Sequence, residues 1–175
     1  MSLRTWARLL YVLLAVLLIA GLVVVPVVAS ATSNNKKSSG KVSTVRVYLI
    51  AIGDSGKSGR SVGCGDSLVA VKREIAPTTA PLTAAIRLTL ANHQRTYGQS
   101  GLYNALYQSR LQLKRATVIK GTATIKLTGR LTLGGVCDTP RVRAQLRQAA
   151  LQFPTVHRVF VTVNGISLAG ALSSK

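Results

Sequence analysis

Acidic residues are what this sequence has least of: Asp54, Asp66, Glu74 and Asp138 are its only four, against 23 Lys plus Arg in 175 residues. Paired-carboxylate chemistry is therefore poorly supplied. Asp54, Asp66 and Asp138 also stand beside Gly or Cys, where turn and cap roles are the expected use. Aromatics are few, at eight, and Trp6 and Tyr11 fall in the first apolar stretch. No basic run is interleaved with aromatics in the manner of single-strand nucleic-acid binders. Two histidines and two cysteines lack metal-finger spacing, so neither a metal nor another cofactor is expected. No internal repeat is present. What remains is a net charge of +19, a surface that repels itself and attracts polyanions.

The N-terminal residues 1–31 have the layout of an export signal. Arg4 and Arg8 precede the apolar run Leu9–Val25, Pro26 breaks it, and Ala29-Ser30-Ala31 offers a small-x-small cleavage site. The competing reading is an uncleaved anchor, because Leu9–Ala29 is ~20 apolar residues and long enough to span a bilayer. Either way the domain is expected to be exported, extracellular or held at the membrane facing outside. Lys36, Lys37 and Lys41 run mildly against that orientation. No cysteine lies near the signal to carry a lipid. Residues 32–44, polar and basic, read as a flexible linker, and residues 45–168 as one domain of a size that supports a single core.

Within the domain, Val45–Ile52 (VRVYLIAI) is nearly continuously apolar, which predicts a central strand. Leu68–Ile75 alternates as a second strand. Pro81 followed by Leu82, Ala85, Ile86 and Leu90 predicts a helix. Residues 92–101 read as loop and 102–113 as a helical turn or irregular segment. Ala116–Lys120 and Thr122–Thr128 around Gly121 predict a tight hairpin or bulged pair.

The stretch Gly134–Phe153 carries Cys137 and then a helix start, with Asp138 or Thr139 as N-cap and Pro140 at the first helical position. Val142, Leu146, Ala149, Ala150 and Phe153 give it an apolar face. Val156–Val163 reads as the last strand, Asn164-Gly165 as a turn, and residues 169–175 as a frayed tail. The order strand, strand, helix, strand, strand, helix, strand predicts an α+β single domain, a mixed β-sheet with two helices packed on one face.

Ala51–Ser58 (AIGDSGKS) satisfies a loose phosphate-loop pattern, but Gly59, Gly63 and Gly65 leave no helix to begin after Lys57-Ser58. Gly53–Gly56 (GDSG) has the form of a protease nucleophile segment. That chemistry needs a histidine base oriented by an acid, and His93 and His157 sit in a loop and at a strand entrance, better read as surface or packing residues. No catalytic residue is assigned. In an exported chain, Cys64 and Cys137 are read as a disulfide, with two free or intermolecular thiols as the alternative.

The opening strand VRVYLIAI, the second strand LVAVKREI, the helix PLTAAIRLTL, the pair TVIKGTATIKLTG and the final RVRAQLRQAALQFPTVHRVFVTVNG together resemble the GerMN domain of spore-germination and sporulation lipoproteins and other envelope proteins. The likeness runs over about residues 45–165. It implies a non-enzymatic α/β module, similar to ring-building motifs of secretion and sporulation assemblies, whose task is protein or envelope interaction. This chain departs from sporulation members in showing one domain, no lipoprotein cysteine, and cysteines in GCGD and GGVCDTPR. The expected role is an exported, non-catalytic module of the cell envelope, possible in sporulation or germination. Its expected partners are an envelope protein or an anionic wall polymer or lipid. A polyanion binder, of nucleic acid or anionic lipid, and an envelope-polymer hydrolase are the alternatives.

Overall fold

The structure, a computed structural model, describes residues 41–173. The signal or anchor expected over residues 1–31, and the linker up to residue 40, lie outside the described residues. Strand β1 (Val42–Ala51) begins inside the expected linker, because Val42 pairs with Thr78. β1 is antiparallel to β3 (Asp66–Thr78), with Val47 opposite Val71 and Ile50 opposite Leu68. With β2 (Arg60–Val62), β4 (Thr96–Tyr97) and β5 (Leu102–Tyr103) they form a five-stranded antiparallel sheet in the order β2-β3-β1-β5-β4. β1 is the central strand, and its consecutive residues Val47, Tyr48, Leu49 and Ile50 are all buried, as its unbroken apolarity requires.

The second sheet holds β6 (Arg110–Ile119), β7 (Thr122–Arg130), β8 (Arg158–Val163) and β9 (Ile166–Ser167) in that order. It is mixed: β7 and β8 run parallel, and the other pairs antiparallel. Of the two alternatives proposed around Gly121, the tight hairpin is the one formed there, and the bulge lies farther along β6. Lys120 (φ +46°) and Gly121 (φ +75°) make a two-residue turn, and the register shifts between Leu113 and Arg115. Asn164 and Gly165, also at positive φ, turn β8 into β9.

Helices α1 (Pro81–Ala91) and α2 (Asp138–Leu151) touch each other and both sheets, α2 being the crossover that makes β7 and β8 parallel. One buried cluster unites Ile50 and Leu68 of the first sheet, Ile86 of α1, Leu146 of α2, and Ile125, Leu127 and Val161 of the second. Full burial of each such side chain contributes about 1.5–3 kcal/mol.

Two expectations are corrected. Residues 102–113 keep the expected turn only between Asn104 and Ser109, and on either side supply β5 and the first residues of β6. The tail does not fray at Ala169. Leu168–Ser173 is a short helix, α3, because Leu168, Ala171 and Leu172 are spaced to reach the core and are buried there.

The bond pattern along β1 adds a feature. β5 pairs with β1 only at Ile50. Further along, side chains of and just beyond α2 serve the backbone: Gln145 Nε2 donates to the Tyr48 carbonyl (2.7 Å), while Gln152 accepts from the Arg46 N–H (2.7 Å) and donates to its carbonyl (2.9 Å). Two glutamines thus supply strand-like bonds that β5 is too short to make.

Candidate functional site

The loop before β3 and the start of α2 meet at the disulfide. Cys64 lies in a 3-10 turn, Gly63–Gly65, and is bonded to Cys137 just before α2, with Cα atoms 5.9 Å apart. The pairing expected for these residues is present, and Cys137 carries no free thiol. Beside the bridge, Gly63 lies against Pro140, so closely that a Cβ there would stand 3.0 Å from the proline ring.

Asp138 does not cap its helix. Its carboxylate turns back: Oδ2 accepts the Gly134 N–H (2.7 Å) and the Tyr103 hydroxyl (2.8 Å), and Oδ1 accepts from Arg141 Nη1 (3.2 Å). Asp66, expected in a turn, is also buried. It accepts the Gly53 N–H at Oδ1 (2.9 Å) and Arg141 Nε at Oδ2 (2.6 Å). Arg141 therefore ties two buried carboxylates together, with its guanidinium 5.3 Å from the centre of the Tyr103 ring. Burial, and then the bond to Asp138, push the Tyr103 hydroxyl above its ordinary range. Gln145 and Asn104 continue the polar interior, bonded to each other at 3.2 Å. Among the described residues, no buried side-chain nitrogen or oxygen lacks a partner.

Asp54 does play a turn role. It accepts the Ser58 N–H (2.6 Å), the Ser58 hydroxyl (2.9 Å) and the Ser67 hydroxyl. The bond from Ser67, followed by that from the Ser58 backbone, holds its carboxyl below the usual carboxylate range. These contacts fold Gly53–Ser58 into a turn that leads to β2, not to a helix, so Lys57 and Ser58 have no phosphate-loop frame. His93 Nδ1 lies 3.2 Å from Arg110 Nη1, and the His157 ring lies over Gly121. Among the described residues neither histidine bonds a serine or an acid, and no three His, Cys, Asp or Glu side chains come together as metal ligands.

Outside this closed interior lies a recess of about 210 Å³ between β2 and α2. Arg60 enters from β2, with Arg143 and Arg147 from α2; Val62, Leu68, Pro140 and Ala144 supply apolar lining, and the lining holds no acid. Arg60 Nη1 is 3.3 Å from Gln148 Oε1. All three arginines are exposed. Arg60, Tyr103, Arg141 and Gln145 have no individual role legible in the sequence. The available signal was the spacing of Arg143 and Arg147, four residues apart on one helical face, and of Gln145 and Gln152, seven apart on another.

A protein-family model described as Germane, sporulation and spore germination, matches residues 46–169, well over half of the chain. Among solved structures, the first GerMN domain of the sporulation protein GerM from Bacillus subtilis is similar. It has 15% identity and a TM-score of 0.48, over 72% of this chain and 86% of that one. The tandem GerMN domains of the same protein align with 19% identity and a TM-score of 0.51, covering 71% of this chain and 40% of that one. No curated protein sequence matches. At this identity the tandem structure speaks for the fold alone.

Proposed function

The chain belongs to the Germane family of sporulation and spore-germination proteins, and from that membership we propose that it is an exported, non-catalytic interaction domain of the cell envelope. It faces outward, either released by cleavage near Ala31 or anchored through residues 9–29. The observation that carries this reading is the saturation of the interior. Asp66, Asp138, Arg141, Tyr103 and Gln145 spend their polar atoms on one another and on backbone groups. General acid–base work needs a carboxylate or imidazole within reach of a substrate proton, and these buried acids are held by structural partners. Binding then falls to the surface, where lysine and arginine predominate.

Fractionation of cells producing the full chain tests the proposal. The chain is expected with the envelope and open to protease added outside intact cells; protection from that protease sinks the reading. The Ser55→Ala/Lys57→Ala double variant is expected to keep its envelope association unchanged, since both side chains sit on a turn organised by Asp54.

A further inference from the structure

We propose that the recess between β2 and α2 is a binding site for a phosphate-bearing linear polymer, gripped by Arg60, Arg143 and Arg147. This deepens the reading of an exported interaction domain and rests on it.

Three exposed arginines line one concavity with no acid in its lining. Arg143 and Arg147 stand one helical turn apart, an arrangement in which like charges repel. A bound oxyanion turns that repulsion into attraction. Asp66, paired across from Val62, and Asp138, two residues before Pro140, do not neutralise the site, because both are engaged by Arg141. The guanidinium fork matches phosphate oxygens in pairs, a geometry lysine does not offer. Val62, Leu68, Pro140 and Ala144 provide a floor for the carbon segments between phosphates.

The recess is also preorganised. Its β2 wall ends at Gly63, packed on Pro140, and the next residue, Cys64, is bonded to Cys137 at the foot of α2. The disulfide therefore fixes the separation of the two walls, and little ordering remains for binding to do. Shape selects among anionic partners. A bilayer surface does not enter a recess of about 210 Å³. An acidic peptide adding to the outer edge of β2 finds only three residues to pair with.

The test uses the full chain in nonionic micelles, titrated with poly(glycerol phosphate) and, separately, with poly-glutamate and with phosphatidylglycerol vesicles. Arg143→Gln/Arg147→Gln is expected to weaken poly(glycerol phosphate) binding by tenfold or more, since a lost charge-assisted bond is worth about tenfold, and to flatten its dependence on salt. The control is Arg115→Gln/Lys126→Gln, a cross-strand basic pair on the other sheet, expected to change affinity less than about twofold. Equal losses in both pairs overturn the site. Binding to poly-glutamate or to the vesicles as tight as to poly(glycerol phosphate) overturns the ligand assignment. Fractionating the unmodified chain and the recess variant in parallel separates the two proposals. Unchanged binding in a correctly exported variant refutes the recess alone, whereas protection of the unmodified chain from external protease refutes the wider reading.

Discussion

Arg141 is the residue on which most of the buried charge depends. Its side chain is 13% exposed, while those of its partners Asp66 and Asp138 are 0% and 2% exposed. Two carboxylates left there without the guanidinium are uncompensated charges, so Arg141→Ala is expected to cost about 3–5 kcal/mol in denaturant unfolding under non-reducing conditions. Tyr103 gives the network a pH signature. Its hydroxyl titrates above the ordinary tyrosine value because burial and the bond to Asp138 favour the protonated form. A group raised on folding contributes stability that is complete below its unfolded value, about 10, and lost as pH rises through the folded one. Unfolding measured from pH 9 to 12 should show this alkaline loss, and Tyr103→Phe should remove that part of it. Asp54 works in the opposite sense. Held low by Ser67 and Ser58, it supports its turn at ordinary pH and releases it only as pH falls below the usual carboxylate range.

At the scale of elements, helix α2 serves as core wall, strand substitute and anchor point. Gln145 accepts the Ala105 N–H at 3.0 Å as well as donating to the Tyr48 carbonyl. Gln145→Ala orphans both backbone groups and is expected to cost about 2–4 kcal/mol, read as a lower midpoint at unchanged denaturant slope. The bridge at the foot of the helix spans a sequence separation of 73, for which chain entropy gives about 4.4 kcal/mol. Replacing both cysteines by alanine should remove close to that amount in equilibrium unfolding. In the hairpin, Gly129 has φ +110° and a Cβ there would meet the Arg110 carbonyl at 2.1 Å. Backbone cannot yield as a flexible side chain does, so Gly129→Ala should lower the melting temperature by more than backbone strain of about 1–3 kcal/mol accounts for.

For the whole molecule, the excess of positive charge had suggested a polyanion partner without saying where it would bind. The expected elements were legible wherever local pattern decides them: VRVYLIAI as a buried central strand, Pro81–Leu90 as a helix, Asn164-Gly165 as a turn. Two cysteines in an exported chain were enough to propose their bond. The misplaced pieces were those that borrow their structure from elsewhere. Residues 102–113 have mixed periodicity because they pass from β5 through a turn into β6, which belongs to the other sheet. Residues 168–173 fold as a helix only because a core waits for Leu168 and Leu172. Asp138, placed where a cap is favoured, accepts instead from Tyr103, 35 residues away in sequence. The sequence by itself determined the principal strands and helices, the charge and the supply of disulfide-forming cysteines, since each follows from local periodicity, conformational preference or composition. The tertiary structure alone decided that Asp66 meets Arg141 and that Arg60 faces Arg143 and Arg147. Those relations join residues tens of positions apart, and only the packing of α2 against both sheets brings them together.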